Sequence, residues 1–173
     1  MSTELLPHME KVQSNPLGLN EATCRTVVLH LNADLATVYT FYHQIKKHHW
    51  LVEGPQYLPL HEFLDEWAAA LLKAGDAIAE RITALGGYPI SGPAAQQEIS
   101  LITMEAEGTF GIREMLDKDL KDGALIAHTL RTHIGEAMAA GDYGTEHLLK
   151  GILLEHEQMV HHLEHFLSPE SLG

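Results

Sequence analysis

The sequence predicts an all-α fold in which four long helices form a bundle and a long crossover joins the second helix to the third. Three observations support this. Apolar residues recur at steps of three and four in four long segments, clusters of glycine and proline separate the segments, and no segment alternates as a strand does. The chain has 173 residues and is 45% hydrophobic, which suits one folded domain.

The first helix is predicted from Glu21 to Val52. Its apolar stripe has the helical period and consists of Val28, Leu31, Leu35, Val38, Tyr42 and Ile45. His49 is the next member of this stripe, so its ring is expected to face a packed or interface surface. Gly54, Pro55 and Pro59 then break the helical pattern.

The second helix is predicted from Leu60 to Leu85. Its stripe consists of Leu64, Ala68, Leu71, Gly75, Ile78 and Ile82. The pair Gly86-Gly87, followed by Pro89, is a helix stop signal. A crossover follows from residue 87 to residue 98, and a short helix is expected near Glu98–Glu105.

The third helix is predicted from Glu107 to Ala139, and Gly141 ends it. Asp142 or Thr145 is expected to cap the fourth helix, which runs to Leu167. Four long helices with one long crossover have the ferritin-like topology. The sequence thus divides into an N-terminal tail (1–20), the bundle (21–167) and a C-terminal tail (168–173).

The composition limits the classes of function. The net charge is −13 with histidine neutral, which repels nucleic-acid phosphates and attracts cations. One cysteine excludes an internal disulfide framework. The N-terminal residues do not resemble a signal peptide, and no apolar run reaches membrane-spanning length, so the expected compartment is the cytoplasm.

Two histidines and two carboxylates are the candidate metal ligands. Asp76 and Glu80 share a helix face that points away from the subunit's own core, and a purely solvated acid pair is the alternative reading. His49 and His61 flank the turn between the first two helices. Two imidazoles and two carboxylates suit Fe(II), Mn(II) or Zn(II).

A distance argument separates these four residues within one chain. His61 and Asp76 are expected on one helix, about 22 Å apart at a rise of ~1.5 Å per residue. One ion therefore cannot bind both unless a second subunit supplies the carboxylates, and two-fold symmetry would provide this. No Glu is followed three residues later by His, so an ordinary di-iron site within one subunit is not expected.

Residues 48–87 (HHWLVEGPQYLPLHEFLDEWAAALLKAGDAIAERITALGG) resemble the signature of the Dps family, the mini-ferritins named as DNA-binding proteins from starved cells. The resemblance implies a hollow shell of twelve subunits. It also implies a mono-iron or di-iron ferroxidase centre at a two-fold interface, with His49 and His61 from one chain and Asp76 and Glu80 from its neighbour. Fe(II) would be oxidised there by hydrogen peroxide or oxygen and stored as ferric mineral, which protects against oxidative damage.

Other residues depart from the family's pattern. His161 and His165, four residues apart, are candidates for additional ligands of iron or zinc. His161 aligns where many relatives have tryptophan, and the alternative interpretation is that one flat amphipathic ring replaces another. The resemblance places the iron entry pore at Asp142, Glu146 and His147, where relatives often have Asp in place of His147.

Two alternative functions stay open at this point. A nucleoid-associated DNA-binding protein is one, although residues 1–20 contain a single lysine, Lys11, and no arginine, so direct DNA binding is not expected. A zinc-binding oligomer that does not mineralise is the other, since Zn(II) outcompetes Fe(II) at nitrogen-rich sites.

Overall fold

The computed structural model describes residues 6–168, and the outer ends of both predicted tails lie outside these residues. The helices are α1 Leu6–Met9, α2 Glu21–Leu51, α3 Tyr57–Ala84, α4 Pro93–Ile99, α5 Ile112–Ala139 and α6 Tyr143–Phe166. No strand occurs within residues 6–168, and the predicted all-α fold is confirmed.

The four long helices pack as two hairpins. α2 and α3 form one hairpin, α5 and α6 form the other, and α2 lies on α5 while α3 lies on α6. The apolar stripes of all four helices meet in one core, whose fully buried members include Leu31, Phe41, Ile45, Leu64, Trp67, Ile78, Leu116, Leu130 and Leu163. Burial of these stripes stabilises the helices more than their intrinsic propensity does.

Two predicted bounds in the crossover were wrong. The short helix is α4, at Pro93–Ile99, where the sequence placed it near Glu98–Glu105. The third long helix, α5, begins at Ile112 and not at Glu107. Gly92 and Pro93 are a favourable helix start, since the missing N–H of proline costs nothing in a first turn.

Side chains of α2 hold the backbone after α4 in a non-helical path. The hydroxyl of Thr37 accepts a hydrogen bond from the N–H of Leu101 at 3.0 Å. The amide oxygen of Gln44 accepts one from the N–H of Glu105 at 3.2 Å. These N–H groups are satisfied without a helix, so tertiary contacts decide the path of the crossover.

The described part of the predicted N-terminal tail packs on α2, on the crossover and on the end of α3. Met9 is fully buried, and the N–H of Gln13 donates to the carbonyl oxygen of Gly86 at 2.8 Å. Gly86 has a φ of 84°, and a Cβ there would lie 2.2 Å from the carbonyl oxygen of Gln13. Only glycine fits this close approach. The boundary between tail and bundle stays a prediction.

None of the helices within residues 6–168 combines the length and the apolar character needed to cross a membrane.

Candidate metal centre

The turn between α2 and α3 brings His49 and His61 into contact. Gly54 has a φ of 88°, which lets the chain reverse between the last turn of α2 and the first turn of α3. The two imidazole rings stack with centroids 3.8 Å apart and an angle of 22° between their planes. His49 is buried, as its place in the apolar stripe predicts, and His61 is half-buried.

Reciprocal hydrogen bonds fix the direction of both rings. The Nδ1 of His49 donates to the carbonyl oxygen of His61, and the Nδ1 of His61 donates to that of His49, each at 2.9 Å. A carbonyl only accepts, so the proton of each neutral ring is on Nδ1 and the lone pair is on Nε2. This arrangement of a backbone carbonyl behind a histidine is typical of metal-ligating imidazoles.

Asp65 completes this cluster, and sequence analysis missed it. One carboxylate oxygen, Oδ1, lies 3.8 Å from the Nε2 of His49 and accepts a hydrogen bond from the Nζ of Lys46 at 2.6 Å. The Lys46 ammonium holds the pKa of Asp65 below its usual range, so the carboxylate is charged near neutral pH. The signal in the sequence is the four-residue step from His61, which puts both side chains on one face of α3.

Asp76 and Glu80 are exposed on the same helix, four residues apart. His61 and Asp76 both lie on the uninterrupted helix α3 (Tyr57–Ala84), at a separation of about 22 Å along its axis. The structure of one chain therefore brings His49, His61 and Asp65 together and leaves the two carboxylates apart from them. Their assignment as ligands stays a prediction.

A buried polar network supports the backbone next to His49. The Nδ1 of His48 lies 2.6 Å from Oδ2 of Asp119, and its Nε2 lies 3.2 Å from Oε2 of Glu105. Although burial alone lowers the pKa of His48, the hydrogen bonds to Asp119 and Glu105 raise it overall. Burial raises the pKa of Asp119. The network ties the last turns of α2 to α5 and to the crossover.

His161 and His165 form an exposed pair near the end of α6. Their Nε2 atoms lie 3.2 Å apart, and the Nδ1 of His161 lies 3.9 Å from a carboxylate oxygen of Glu164. Two ligands at ~2.1 Å on a tetrahedral ion would be about 3.4 Å apart, close to this spacing. The neighbouring ring of His162 lies 6.3 Å from that of Phe63, so the end of α6 lies beside the start of α3.

The three predicted pore residues have different surroundings. Asp142 is 1% exposed, and its Oδ1 accepts hydrogen bonds from the N–H of Thr145 at 3.0 Å and from Arg81 at 2.6 Å. It thus caps α6, as predicted, and its charge is paired with Arg81 of the same chain. Glu146 pairs with Lys150, whereas His147 is exposed. Their role in a pore stays a prediction.

A second histidine cluster was not found from the sequence. His30 and Asp34 of α2 meet His133 and Glu136 of α5. Burial lowers the pKa of His30, and burial also raises that of Asp34. Although burial alone lowers the pKa of His133, its hydrogen bond to Asp34 raises it overall. The two halves are about a hundred residues apart in sequence, so only the packing of α2 on α5 reveals the cluster.

The chain is similar to known proteins along most of its length. The ferritin-like domain family model matches residues 28–171. The DNA protection during starvation protein of Halobacterium salinarum is 40% identical over 159 residues, covering 92% of this chain and 87% of that protein. The nutrient stress-induced DNA-binding protein of a Synechococcus species is 33% identical over 99% of this chain and 97% of its own.

The fold is also similar to that of a solved structure. The crystal structure of an archaeal Dps homologue from Halobacterium salinarum superposes with a TM-score of 0.91 at 39% identity, covering 94% of this chain and 91% of that one.

Proposed function

The chain belongs to the ferritin-like proteins and, among them, to the Dps family, and from this premise we propose that it oxidises Fe(II) at a site shared by two subunits and stores the ferric product. The observation that carries the proposal is the His49–His61 pair, whose reciprocal Nδ1 bonds present two Nε2 lone pairs side by side.

The roles of the residues follow from their chemistry. His49 and His61 bind Fe(II) through Nε2, and the charged Asp65 lies beside them. Asp76 and Glu80 of a neighbouring subunit supply the remaining oxygens, which stabilise the harder Fe(III) product. Two Fe(II) ions give one electron each to hydrogen peroxide, which takes up two protons and leaves as two waters. Fe(II) and peroxide are thereby removed together.

Exposed apolar residues around the histidine pair support a subunit interface there. Trp50, the residue after His49, is 70% exposed. Leu58, in the first turn of α3, is 59% exposed. Leu72 is exposed on the same helix, between His61 and Asp76. Large apolar side chains gain free energy when a partner covers them, and a two-fold contact covers both copies at once. We propose that the assembly is the twelve-subunit shell of the family.

We do not expect this chain to compact DNA. The names of the Halobacterium and Synechococcus relatives refer to DNA. The net charge of −13 opposes the phosphate contacts that supply most of the affinity of such binding.

Complementation between subunits tests the shared site. Two inactive variants, His49→Ala/His61→Ala and Asp76→Ala/Glu80→Ala, are dissociated, mixed in equal amounts and reassembled. Each site takes histidines from one chain and carboxylates from another, so random mixing restores about a quarter of the sites. Stopped-flow measurement of Fe(II) oxidation by peroxide is expected to show this recovery.

The matched control reassembles each variant with itself, which is expected to stay inactive. If the mixture also stays inactive although mass measurement shows mixed shells, the two residue pairs do not share a site between chains. If either double variant alone oxidises Fe(II) at the wild-type rate, the assignment of its residues is wrong.

A further inference from the structure

The cluster between α2 and α5 has the composition of a transition-metal site. Within residues 6–168, His30, His133 and Glu136 form such a group. Each offers one potential ligand atom, and these three atoms lie within 4.8 Å of one another. Two ligands on one ion lie at most about 4.2 Å apart, twice a bond of ~2.1 Å. The three ligand atoms are therefore close to the spacing that one ion requires.

Two of the ligand atoms are already at the right separation. The Nδ1 of His30 lies 3.0 Å from Oε2 of Glu136. Nitrogen and oxygen ligands on a tetrahedral ion are about 3.3 Å apart. The rings of His30 and His133 stack in parallel with centroids 4.5 Å apart, which places both imidazoles on the same side of the α2–α5 contact.

A buried carboxylate orients the third ligand. Both oxygens of Asp34 lie 2.9 Å from the Nδ1 of His133, and Asp34 is almost fully buried. Nδ1 donates to the carboxylate, so Nε2 of His133 is left with the lone pair. A carboxylate behind a ligating histidine is a common feature of zinc sites, where it fixes the tautomer and the ring.

A small cavity adjoins the two imidazoles. The rings of His30 and His133 line a small cavity together with Thr145 and Leu149 of α6. A hydrogen bond with a purely structural role would explain the pairing of Asp34 with His133. It would not account for a second imidazole stacked on the first with its own carboxylate at hydrogen-bond distance.

We propose that His30, His133 and Glu136 bind a divalent transition-metal ion within a single protomer, with Zn(II) preferred to Fe(II). Two histidines and one glutamate are a known zinc ligand set that leaves a fourth position for water. The affinity of nitrogen ligands for Zn(II) exceeds that for Fe(II). This site is separate from the proposed intersubunit centre and does not depend on it, since α2 and α5 of one chain supply every ligand.

Crystals of the metal-free assembly soaked in zinc chloride provide the first test. Anomalous diffraction at the zinc edge is expected to show a peak about 2.0–2.2 Å from ligand atoms of His30, His133 and Glu136. Peaks at the intersubunit histidines or at His161 and His165 are counted separately. Absence of a peak between α2 and α5 while those other sites are filled would overturn the proposal.

Zinc titration in solution provides the second test. The variant His30→Gln/Glu136→Gln is expected to bind about one zinc ion fewer per chain than the wild type. His128→Gln removes an exposed histidine of the same helix, α5, and is expected to keep the full number. Equal binding by all three proteins overturns the proposal. A loss in the double variant with unchanged circular dichroism and assembly size supports it.

An anaerobic Fe(II) arm tests the order of preference. Zinc is expected to displace Fe(II) from this site when both ions are present, and a site that keeps Fe(II) against equimolar zinc contradicts the stated preference. The subunit complementation experiment is unaffected by either result, because its variants leave His30, His133 and Glu136 intact.

Discussion

His49 and His61 each donate a hydrogen bond from Nδ1 to the other's carbonyl oxygen. These two bonds hold the rings side by side and leave the lone pair of each ring on Nε2. The carbonyl of His49 lies in the last turn of α2, where backbone oxygens lack partners within the helix. The bond from His61 therefore satisfies a helix end and orients a candidate ligand at the same time.

The histidines of this chain have different roles, and their contacts distinguish these roles. His156 is buried against Phe41 and Trp67, and its Nε2 donates to the carbonyl oxygen of Gly123 at 2.9 Å. It is a core residue that links α6 to α5. Burial lowers its pKa below the ordinary value of about 6.5.

We predict a pH effect from His156. The unfolded chain binds a proton below about pH 6.5, whereas the native residue stays neutral until its lowered pKa is reached. Its contribution to stability is therefore complete above about pH 6.5 and is lost as the pH falls, by at most about 1.4 kcal/mol per pH unit per chain. Glutamine keeps a donor for Gly123 and does not titrate. His156→Gln is expected to lose less thermal stability than the wild type between pH 7.5 and 5.5 by calorimetry.

The exposed His128 is the control for this prediction, and His128→Gln should follow the wild type at both pH values. An equal acid-induced loss in wild type and His156→Gln would show that His156 is protonated as readily in the fold as in the unfolded chain.

At the level of elements, the two hairpins are connected by polar groups as well as by the apolar core. The network around His48 and Asp119 joins α2 to α5, and Gln44 of α2 donates to both Asp119 and Asp122 at 2.9 Å. Such buried groups are costly when one partner is removed, because the other loses its counter-charge in a medium of low dielectric constant.

We predict that Asp119→Ala is strongly destabilising. The change leaves the buried His48 and Gln44 without their shared acceptor, and breaking a buried pair costs about 3–5 kcal/mol. Glu114→Ala removes an exposed acid of the same helix and is expected to cost less than about 1 kcal/mol. Urea denaturation followed by circular dichroism compares the two variants, and similar midpoints would contradict the role given to the network.

At the scale of the whole molecule, the separation of the candidate ligands on α3 is the fact with the widest consequence. One helix carries His61 near its start and Asp76 and Glu80 near its end, about 22 Å and ~28 Å away along the axis. The long helices share one core within a single chain, whereas the proposed iron site needs a second chain. Assembly and iron chemistry are therefore expected to depend on the same contact surface.

We predict that the assembly mineralises iron. Anaerobic loading with Fe(II) followed by stepwise peroxide is expected to leave on the order of tens to hundreds of irons eluting with one large particle in size exclusion, because a closed shell retains a product formed inside it. One or two metal ions per subunit, with no mineral, would instead indicate an oligomer that only binds metal.

The sequence alone determined the fold class, the four long helices and the family, because helical periodicity and the signature around His49 and His61 are local patterns. It did not determine the bounds of α4 and α5, since side chains of α2 such as Thr37 and Gln44 bind the crossover backbone. Nor did it reveal the cluster of His30 with His133. That cluster depends on how two helices pack, and the periodicity of either helix carries no information about which residues of the other it will meet.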